Sequence, residues 1–425
     1  MMTKTLRFAL WIIVVGAVFL QAEAVVQADS AVTRDAISEA GLTGGLAVFA
    51  GQSNGAGEIE LAQRGRWVVL TVVPDEASSQ RTRSAVEEEV RRVLVPVRGI
   101  ALVKTSGQWR SLEKPMPAGW DEWTHFFHGP DGNAVSRDTA VGIPNALRLI
   151  AGPRLQDSNG ANGHRLSGGI AVSEWNYTQS GGKDRQKLVV EGRDALSGAL
   201  LWQKIEPVYR GAPRSVKTKP LILADGRLLR MVDDGEESAR IGHFDPRSGE
   251  RVRVYQSSLN LRDGPYQWSA EPQFNYHDGL VVQAAGKDLR CFDAENDEPR
   301  WSYETTGGEM FDMFLLDDGT ILTYGHQWAR IDQATGKLLA FGSTGGNARC
   351  DTSTCAANLV TAGFGNYFDI SDPQPKWTRR DIARGQCGGR STPGYGMTYH
   401  HGSGCGCFFM IRGNMALQRL PEPLR

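Results

Sequence analysis

The sequence predicts a mainly β protein. Its expected fold is a β-propeller of six to eight blades, with seven as the best single count, preceded by a small α/β Rossmann-like unit. Three observations support this prediction. A short turn motif recurs through the C-terminal two thirds of the chain. The 50 glycines among 425 residues suit a protein rich in turns. The stretch before the repeats alternates apolar runs with charged, helix-forming ones.

The recurring motif consists of an apolar residue, Asp, a Ser/Thr-Gly pair and, a few residues later, an aromatic residue. Its five copies contain Asp194, Gly198 and Trp202; Asp245, Gly249 and Tyr255; Asp293 and Trp301; Asp332, Gly336 and Phe341; and Asp369 and Trp377. Successive Asp residues are separated by about 51, 48, 39 and 37 residues. A period of roughly 40–50 residues is typical of propellers. The repeat domain is therefore predicted over residues 119–425.

The physical chemistry of one copy predicts a hairpin at the end of a blade. The apolar run 187–190 enters as a strand, and the Asp194 carboxylate accepts hydrogen bonds from the backbone that follows it. Gly198 then adopts the positive φ that other residues resist. The chain returns as a strand ending at Trp202, which we expect to pack against the neighbouring blade. A sixth blade end is expected at 414–417, sharing its blade with the first strand so that the ring closes.

The N-terminus has the pattern of a secretory signal peptide. Lys4 and Arg7 precede a single apolar stretch that is too short for an ordinary transmembrane helix. Cleavage is expected after Ala24 or Ala28, so residues 1–28 are predicted to be removed. No other segment is long and apolar enough to cross a bilayer. These features predict export to the periplasm or the extracellular space.

Export makes disulfides the expected state of most cysteines. The candidates for at least one bridge are Cys350, Cys355, Cys387, Cys405 and Cys407. Their connectivity stays open. A zinc site is the alternative, because Cys405-Gly-Cys407 lies close to His400 and His401, although the usual Cys-x-x-Cys spacing is missing. Cys291, inside a predicted strand, is expected to be buried and reduced.

Residues 31–118 predict a small parallel sheet. The stretch 80–92 is charged and predicts a helix. Strands that alternate with helices indicate an α/β unit. The three apolar runs that predict buried strands are 45–50, 67–73 and 99–103.

This stretch resembles the start of a class I S-adenosylmethionine-dependent methyltransferase domain. In that family a glycine loop after the first strand approaches the cofactor, and an acidic residue ending the second strand holds the ribose. Gly51, Gly55 and Gly57 match the loop, and Asp75 is the acidic candidate. No acidic residue ends the first strand, Pro74 disturbs the second, and the unit is too short for a complete domain. We therefore expect a degenerate remnant that binds no cofactor.

The repeats and the segment ahead of them resemble the pyrroloquinoline-quinone-like (quinoprotein alcohol dehydrogenase-like) β-propellers. In that superfamily a Trp, a Gly-Asn pair and a Ser recur just before the first blade, as Trp123, Gly132-Asn133 and Ser136 do here. The order of parts, from the reduced methyltransferase-like unit to the cysteine-rich tail, looks like a group of exported bacterial repeat proteins. The resemblance covers about residues 31–425.

The resemblance implies a propeller but does not supply a cofactor site. Working dehydrogenases of this superfamily hold pyrroloquinoline quinone (PQQ) on the axis, between a Trp and a disulfide of adjacent cysteines. They hold calcium with a Glu and an Asn, beside an Asp that acts as base. This chain has no adjacent cysteines, and none of its residues matches the calcium site one by one. No cofactor or metal is therefore predicted, and PQQ with calcium is the alternative.

We expect a binding or scaffold module rather than a working enzyme. A periplasmic PQQ-dependent oxidoreductase acting on alcohols or sugars is the alternative. The partner is expected to be a protein, a small molecule or a polymer. The 47 basic and 48 acidic side chains nearly cancel, which gives no electrostatic reason to expect nucleic acid. Hydrolase and nucleotide-binding motifs are missing from the sequence.

The candidate ligand-contact residues carry metal-binding or cationic side chains near the two ends of the repeat domain. The alternative for His125 and His128 is that neighbouring aromatic residues pack while the polar groups satisfy one another. The alternative for Arg384 is a buried, paired arginine at the top of a blade. The candidates are Asp121, His125, His128, Arg384, His400 and His401.

Overall fold

The structure is a computed structural model with two compact units, Met1–Pro117 and Ala118–Arg425. It describes residues 46–50, 67–72, 87–88, 91–92, 94–105, 108–151, 158–159, 164–178, 186–207, 221–233, 238–260, 273–277, 279–285, 287–296, 298–305, 310–344, 353–357, 359–362, 366–371, 376–379, 391–402 and 413–421. The signal peptide, the glycine loop at 51–57 and Asp75 lie outside the described residues. No helix in the described part of the chain is long and apolar enough to cross a membrane.

The first unit contains one four-stranded sheet. Its strands are β1 (Leu46–Ala50), β2 (Trp67–Val72), β3 (Ile100–Thr105) and β4 (Gln108–Glu113), in that order across the sheet. The first three are parallel, as the sequence predicts, and β4 returns antiparallel to β3. The connections between the parallel strands lie mostly outside the described residues, although residues 87–88 and 91–92 are helical. The Rossmann-like character of this unit therefore stays a prediction.

The second unit is a β-propeller with six blades in its described part. Blade 1 contains β7 (Ser158–Asn159), β8 (His164–Ser167), β9 (Ile170–Thr178), β10 (Gln186–Asp194) and β11 (Leu200–Pro207). Blade 2 contains β12 (Leu221–Ala224), β13 (Arg227–Asp233), β14 (Ser238–Phe244) and β15 (Arg251–Asn260). Blade 3 contains β16 (Gln273–His277), β17 (Leu280–Ala285), β18 (Asp288–Asp293) and β19 (Pro299–Glu304).

Three further blades complete the ring. Blade 4 contains β20 (Met310–Leu315), β21 (Thr320–Gly325), β22 (Gln327–Asp332) and β23 (Leu338–Ser343). Blade 5 contains β24 (Thr354–Ala356), β25 (Leu359–Ala362), β26 (Asn366–Asp369) and β27 (Lys376–Arg379), with β5 (Val135–Ser136) parallel to β24. Blade 6 contains β28 (Thr392–Gly394), β29 (Met397–Gly402), β30 (Gly413–Gln418) and, as its outer strand, β6 (Ala146–Ala151).

The propeller fold and its closure are confirmed. Consecutive strands pair antiparallel within each blade, except that β7 and β8 both pair with β9, and β6 from the start of the domain pairs with β30 from its end. The six described blades fall within the predicted range and are one fewer than the best single count. Six is also the number of blade ends visible in the sequence, so the seventh blade had no motif to support it.

The motif turns form as their local chemistry predicts. The Oδ1 atom of Asp194 accepts hydrogen bonds from the backbone N–H of Leu196 (3.1 Å) and Ser197 (2.9 Å). Gly198 follows with a φ of 75°. Asp332 and its glycine repeat this arrangement in blade 4. Each Asp therefore caps the turn between the third and fourth strands of its blade.

Two tryptophans pack on the glycine of the next blade. The ring of Trp202 in blade 1 lies over Gly249 in blade 2, and its Nε1 donates to the carbonyl of Pro246 at 2.8 Å. Trp301 in blade 3 lies over Gly336 in blade 4 in the same way. Apolar side chains of blades 1 and 2 form one core cluster, and those of blades 3 and 4 form another. The inter-blade core is thus built from pairs of neighbouring blades.

The predicted aromatic positions in blades 2 and 4 are wrong. A β-bulge lies at the start of the outer strand in blades 1 to 4 alike, so the residue eight positions after the motif Asp occupies the position of Trp202 in each of them. Pairing places Arg253 there in blade 2 and Ala340 in blade 4. Tyr255 instead stacks with Arg253 of its own strand, and Phe341 faces solvent. Tyr255 and Phe341 lie ten and nine residues after their motif Asp, whereas the position of Trp202 lies eight residues after it.

The two described cysteines are both buried free thiols. Burial of Cys291 is therefore as predicted, and it raises the pKa of that thiol. Cys355 in β24 corrects the sequence prediction, because it is free rather than bridged, and burial raises its pKa to about 12. The other four candidates, Cys350, Cys387, Cys405 and Cys407, lie outside the described residues, so a bridge among them stays a prediction.

Candidate functional site

Residues 120–138, here called the axial segment, run along the inner ends of all six blades. Its backbone pairs with Leu166 in blade 1 and bonds to Leu223 in blade 2. Asn133 exchanges two hydrogen bonds with Leu315 of blade 4, at 2.8 and 3.2 Å. Gly132 lies near Asn275 in blade 3. The carbonyls of Ala134 and Ser136 accept hydrogen bonds from blade 5, and the carbonyl of Asp121 accepts one from Tyr395 in blade 6. The segment therefore fills the place where the six sheets converge.

Asp121 is the centre of hydrogen bonding within the axial segment. Its Oδ2 accepts from His128 Nε2 at 2.8 Å, from Ser136 Oγ at 3.1 Å and from the Arg137 N–H at 2.6 Å. Its Oδ1 accepts from the Glu122 N–H at 2.8 Å. Burial raises the pKa of Asp121, but the hydrogen bond and charge of His128 and the two amides outweigh it, and the pKa falls to about 2. Asp121 is thus a carboxylate that holds the segment's own fold.

Glu122 joins the axial segment to blades 1 and 6. Its Oε2 accepts from Ser167 Oγ at 2.7 Å, and its Oε1 accepts from the Gly168 N–H at 2.7 Å. The hydroxyl of Tyr395 also donates to Oε1, at 2.8 Å. Burial and the neighbouring Glu122 charge raise the pKa of Tyr395 well above its usual range, so its hydroxyl keeps its proton and remains a donor.

Asp138 ends the axial segment and is fully buried. Its Oδ1 accepts from the N–H groups of Ala140 and Val141, and its Oδ2 accepts from those of Asp121 and Gly396. Burial raises the pKa of Asp138, and the four amide hydrogen bonds oppose this rise. The side chain therefore connects the segment to the β28–β29 turn.

The two histidines of the axial segment lie in one tight turn. The backbone N–H of His125 donates to the carbonyl of His128, which has a φ of 62°. The ring of His128 meets the fully buried Trp123 edge-on at 5.3 Å, and His125 Nδ1 lies 2.8 Å from Thr124 Oγ1. Burial, followed by the charge of Arg165, lowers the pKa of His125. The two rings therefore serve separate contacts and do not converge.

His400 does not belong to the axial segment. It lies fully buried between blades 5 and 6. Its Nδ1 is 2.9 Å from Ser391 Oγ, and its Nε2 is 3.1 Å from Tyr367 OH. Burial lowers the pKa of His400 to about 3, so the ring is neutral near pH 7. The His401 backbone pairs with Asn414 in the same blade, and Arg384 lies outside the described residues.

The carboxylates of the axial segment are a poor fit for calcium, because protein donors already bond to them. All six carboxylate oxygens of Asp121, Glu122 and Asp138 accept hydrogen bonds from protein groups. A cation would compete with these donors, which belong to the backbone and to neighbouring side chains. In the described part of the chain, no three His, Cys, Asp or Glu residues group as metal ligands.

The sequence alone did not single out Asp138 or Tyr395 of this network, and it identified no partner for Glu122. Glu122, Asp138 and Tyr395 join distant parts of the chain, and Tyr395 is 273 residues from Glu122. The only local signal was the acidic pair Asp121-Glu122 beside Trp123. A single sequence gives no means of pairing these residues with their partners.

Comparison with known proteins leaves the function open. No protein-family model and no curated protein matches this chain. BamB from Moraxella catarrhalis is similar in structure at 16% identity, covering 63% of this chain and 85% of that one, with a TM-score of 0.27. The RRP9 WD40 repeats match at 11% identity over 65% and 99%, with a TM-score of 0.39. Hsv2 from Kluyvelomyces marxianus matches at 11% over 36% and 46%, with a TM-score of 0.21. The similarities are too low to support a functional argument.

Proposed function

We propose that this chain is an exported β-propeller that acts as a binding or scaffold module. The observation that supports this proposal is the hydrogen bonding of the axial segment. Asp121, Glu122 and Asp138 use both of their carboxylate oxygens within the protein. The inner ends of the blades are joined by the chain itself, so a partner is expected on the outer strands and the loops of the blades.

The alternative function is PQQ-dependent oxidation, and the resemblance to quinoproteins is its support. That chemistry would need an aromatic face and a calcium site with an adjacent base. Trp123 is fully buried, and His128 contacts its ring at 5.3 Å. Asp121 accepts four hydrogen bonds from its own segment, and its pKa of about 2 makes it a weak base. These contacts favour the binding module.

One experiment distinguishes the binding module from the oxidoreductase. The purified mature protein is titrated with PQQ in the presence of Ca²⁺, and bound-cofactor absorbance and dye-linked oxidation of alcohols and sugars are measured. A known PQQ dehydrogenase treated identically is the positive control. We expect neither a bound cofactor nor turnover. Saturable PQQ binding with turnover would replace the proposal by the oxidoreductase.

Export is the second part of the proposal and rests on the N-terminal sequence pattern. Cell fractionation of the full-length chain should recover the protein outside the cytoplasm. Mass spectrometry of its N-terminus should locate the start after Ala24 or Ala28. A protein that keeps its first residues in the cytoplasmic fraction would contradict this part alone.

We also propose that the first unit binds no S-adenosylmethionine. Its parallel strands β1 and β2 are present, but Pro74 follows the second strand, where the methyltransferase family carries its ribose-binding acid. Calorimetric titration with S-adenosylmethionine should give no heat of binding at millimolar ligand. Micromolar affinity would contradict the proposal.

A further inference from the structure

Each blade of the propeller ends in an outer strand whose far edge pairs with no other strand in the described part of the chain. Such an edge exposes backbone N–H and C=O groups that can pair with another strand. Proteins commonly protect these edges with charged side chains or proline. The six outer strands are β6, β11, β15, β19, β23 and β27.

Five of these outer strands carry charged residues, and β23 carries none. The charged residues are Arg148 on β6, Lys204 and Glu206 on β11, Arg251 and Arg253 on β15, Arg300 and Glu304 on β19, and Lys376 and Arg379 on β27. Strand β23 reads Leu-Leu-Ala-Phe-Gly-Ser. It is therefore the one described outer edge without this protection.

Strand β23 also exposes its large apolar side chains. The exposed fractions are 36% for Leu338, 49% for Leu339 and 61% for Phe341. The strand register explains this exposure, since Ala340 rather than Phe341 occupies the inter-blade position. Three exposed apolar residues within four positions form a small apolar edge.

We propose that β23 is a self-association site, where it pairs antiparallel with β23 of a second copy of this chain. The two edges are identical, as a two-fold interface requires. Pairing centred on Ala340 would place Leu339 opposite the partner's Phe341, and such aliphatic–aromatic cross-strand pairs are favourable. Two copies of β15 would instead bring exposed arginines together. Because β23 carries no charge, two copies of it meet without like-charge repulsion, which favours a second copy as the occupant.

The length of β23 sets the strength of this association. Its six residues make a small interface, below the size of a stable permanent dimer. We therefore expect a reversible dimer whose population grows with protein concentration. This inference is independent of the proposed function, because the propeller could bind its partner as a monomer.

Sedimentation velocity over a range of concentrations tests the inference on the full mature chain. The wild-type protein should form a dimer that disappears in Phe341→Lys and in Leu339→Lys. The matched control is Val252→Lys on β15, where the original side chain is 59% exposed. This control should leave the dimer unchanged. Phe341→Ser provides a milder variant if a lysine variant fails to fold, as judged by circular dichroism.

Hydrogen exchange locates the interface in the same samples. Amides of residues 338–343 should become more protected as concentration rises, while those of β15 should not. A strictly monomeric protein at the highest concentration would overturn the inference. A dimer that persists in both lysine variants, or protection that rises elsewhere, would also overturn it. Binding of a different protein at β23 without self-association would reassign the edge to that partner.

Discussion

The indole ring of Trp202 in blade 1 covers Gly249 in the turn of blade 2. A Cβ atom added to Gly249 would lie 2.6 Å from the Trp202 ring, and Trp202 Nε1 donates to the Pro246 carbonyl at 2.8 Å. Gly249 also has a φ of 69°. The glycine therefore serves two purposes, because it permits the turn and it lets the neighbouring blade approach.

The variant Gly249→Ala should separate these two purposes when compared with Gly226→Ala. Gly226 has a similar φ of 68°, but nothing lies within 4 Å of its added Cβ. Both variants carry the backbone strain of about 1 kcal/mol. Gly249→Ala should lose roughly 1–3 kcal/mol more, because the Trp202 ring must shift. Urea unfolding measures the free energy of unfolding of both variants. Equal losses would mean that the packing of Trp202 on the turn contributes little.

The pKa of Asp121 predicts a loss of stability in acid. The folded value of about 2 lies below the ordinary 3.8, so the ionised carboxylate stabilises the folded state above pH 3.8. That stabilisation is lost as pH falls from 3.8 towards 2. Asp121→Asn should therefore be less stable than wild type at pH 7, and the gap should narrow near pH 2. Unfolding curves at several pH values measure the gap.

The control for this prediction is Asp288→Asn. Asp288 is exposed and lies 3.9 Å from Arg290, and exposed pairs contribute little to stability. Its stability should follow the wild type at every pH. An Asp121→Asn variant that also follows the wild type would contradict the role of Asp121 in holding the axial segment.

His400 should make the protein less stable in mild acid. Its folded pKa of about 3 lies below the ordinary 6.5, so between these values the unfolded chain binds a proton that the folded protein does not. Stability therefore falls as pH decreases from 6.5 towards 3. His400→Gln keeps a polar side chain but cannot titrate, and its stability should change less over this range. Identical pH dependence in both proteins would contradict the burial of a neutral His400.

The hydrogen bonds of Asn133 should stabilise the contact between the axial segment and blade 4. Asn133→Ala removes two hydrogen bonds with Leu315 and should reduce the free energy of unfolding by roughly 1–3 kcal/mol. Hydrogen exchange should increase in β20. Asn145→Ala is the matched control, since Asn145 makes two hydrogen bonds with Leu420 but is not part of the axial segment. In this control, exchange should increase near the C-terminus. Faster exchange of β20 in the Asn145→Ala variant would contradict the specific link between Asn133 and blade 4.

The local parts of the fold could be predicted from sequence because their causes are local. Asp194 and Gly198 specify a turn through their own backbone chemistry, and the apolar runs around them specify strands. The closure by β6 followed from the need to join the first and last parts of the repeat domain in one blade. The residue that faces the next blade lies eight positions after the motif Asp, so a variable distance from Asp to the aromatic residue misassigned two blades.

The axial network could not be predicted because its contacts are long-range. Asn133 and Leu315 are 182 residues apart, and Glu122 and Tyr395 are 273 residues apart. Asp121, His125 and His128 carried the right residue types, but their environment decides their roles. The bonds that Asp121 makes come from four groups of its own segment, and only the folded chain brings them together.

Hydrogen–deuterium exchange of residues 120–138 in the mature protein tests the central claim most directly. This segment joins the inner ends of all six described blades. Its hydrogen-bonded amides, such as those of Trp123 and Arg137, should exchange as slowly as the amides of the inner strands. Rapid exchange throughout the segment, comparable to that of exposed turns, would contradict the account.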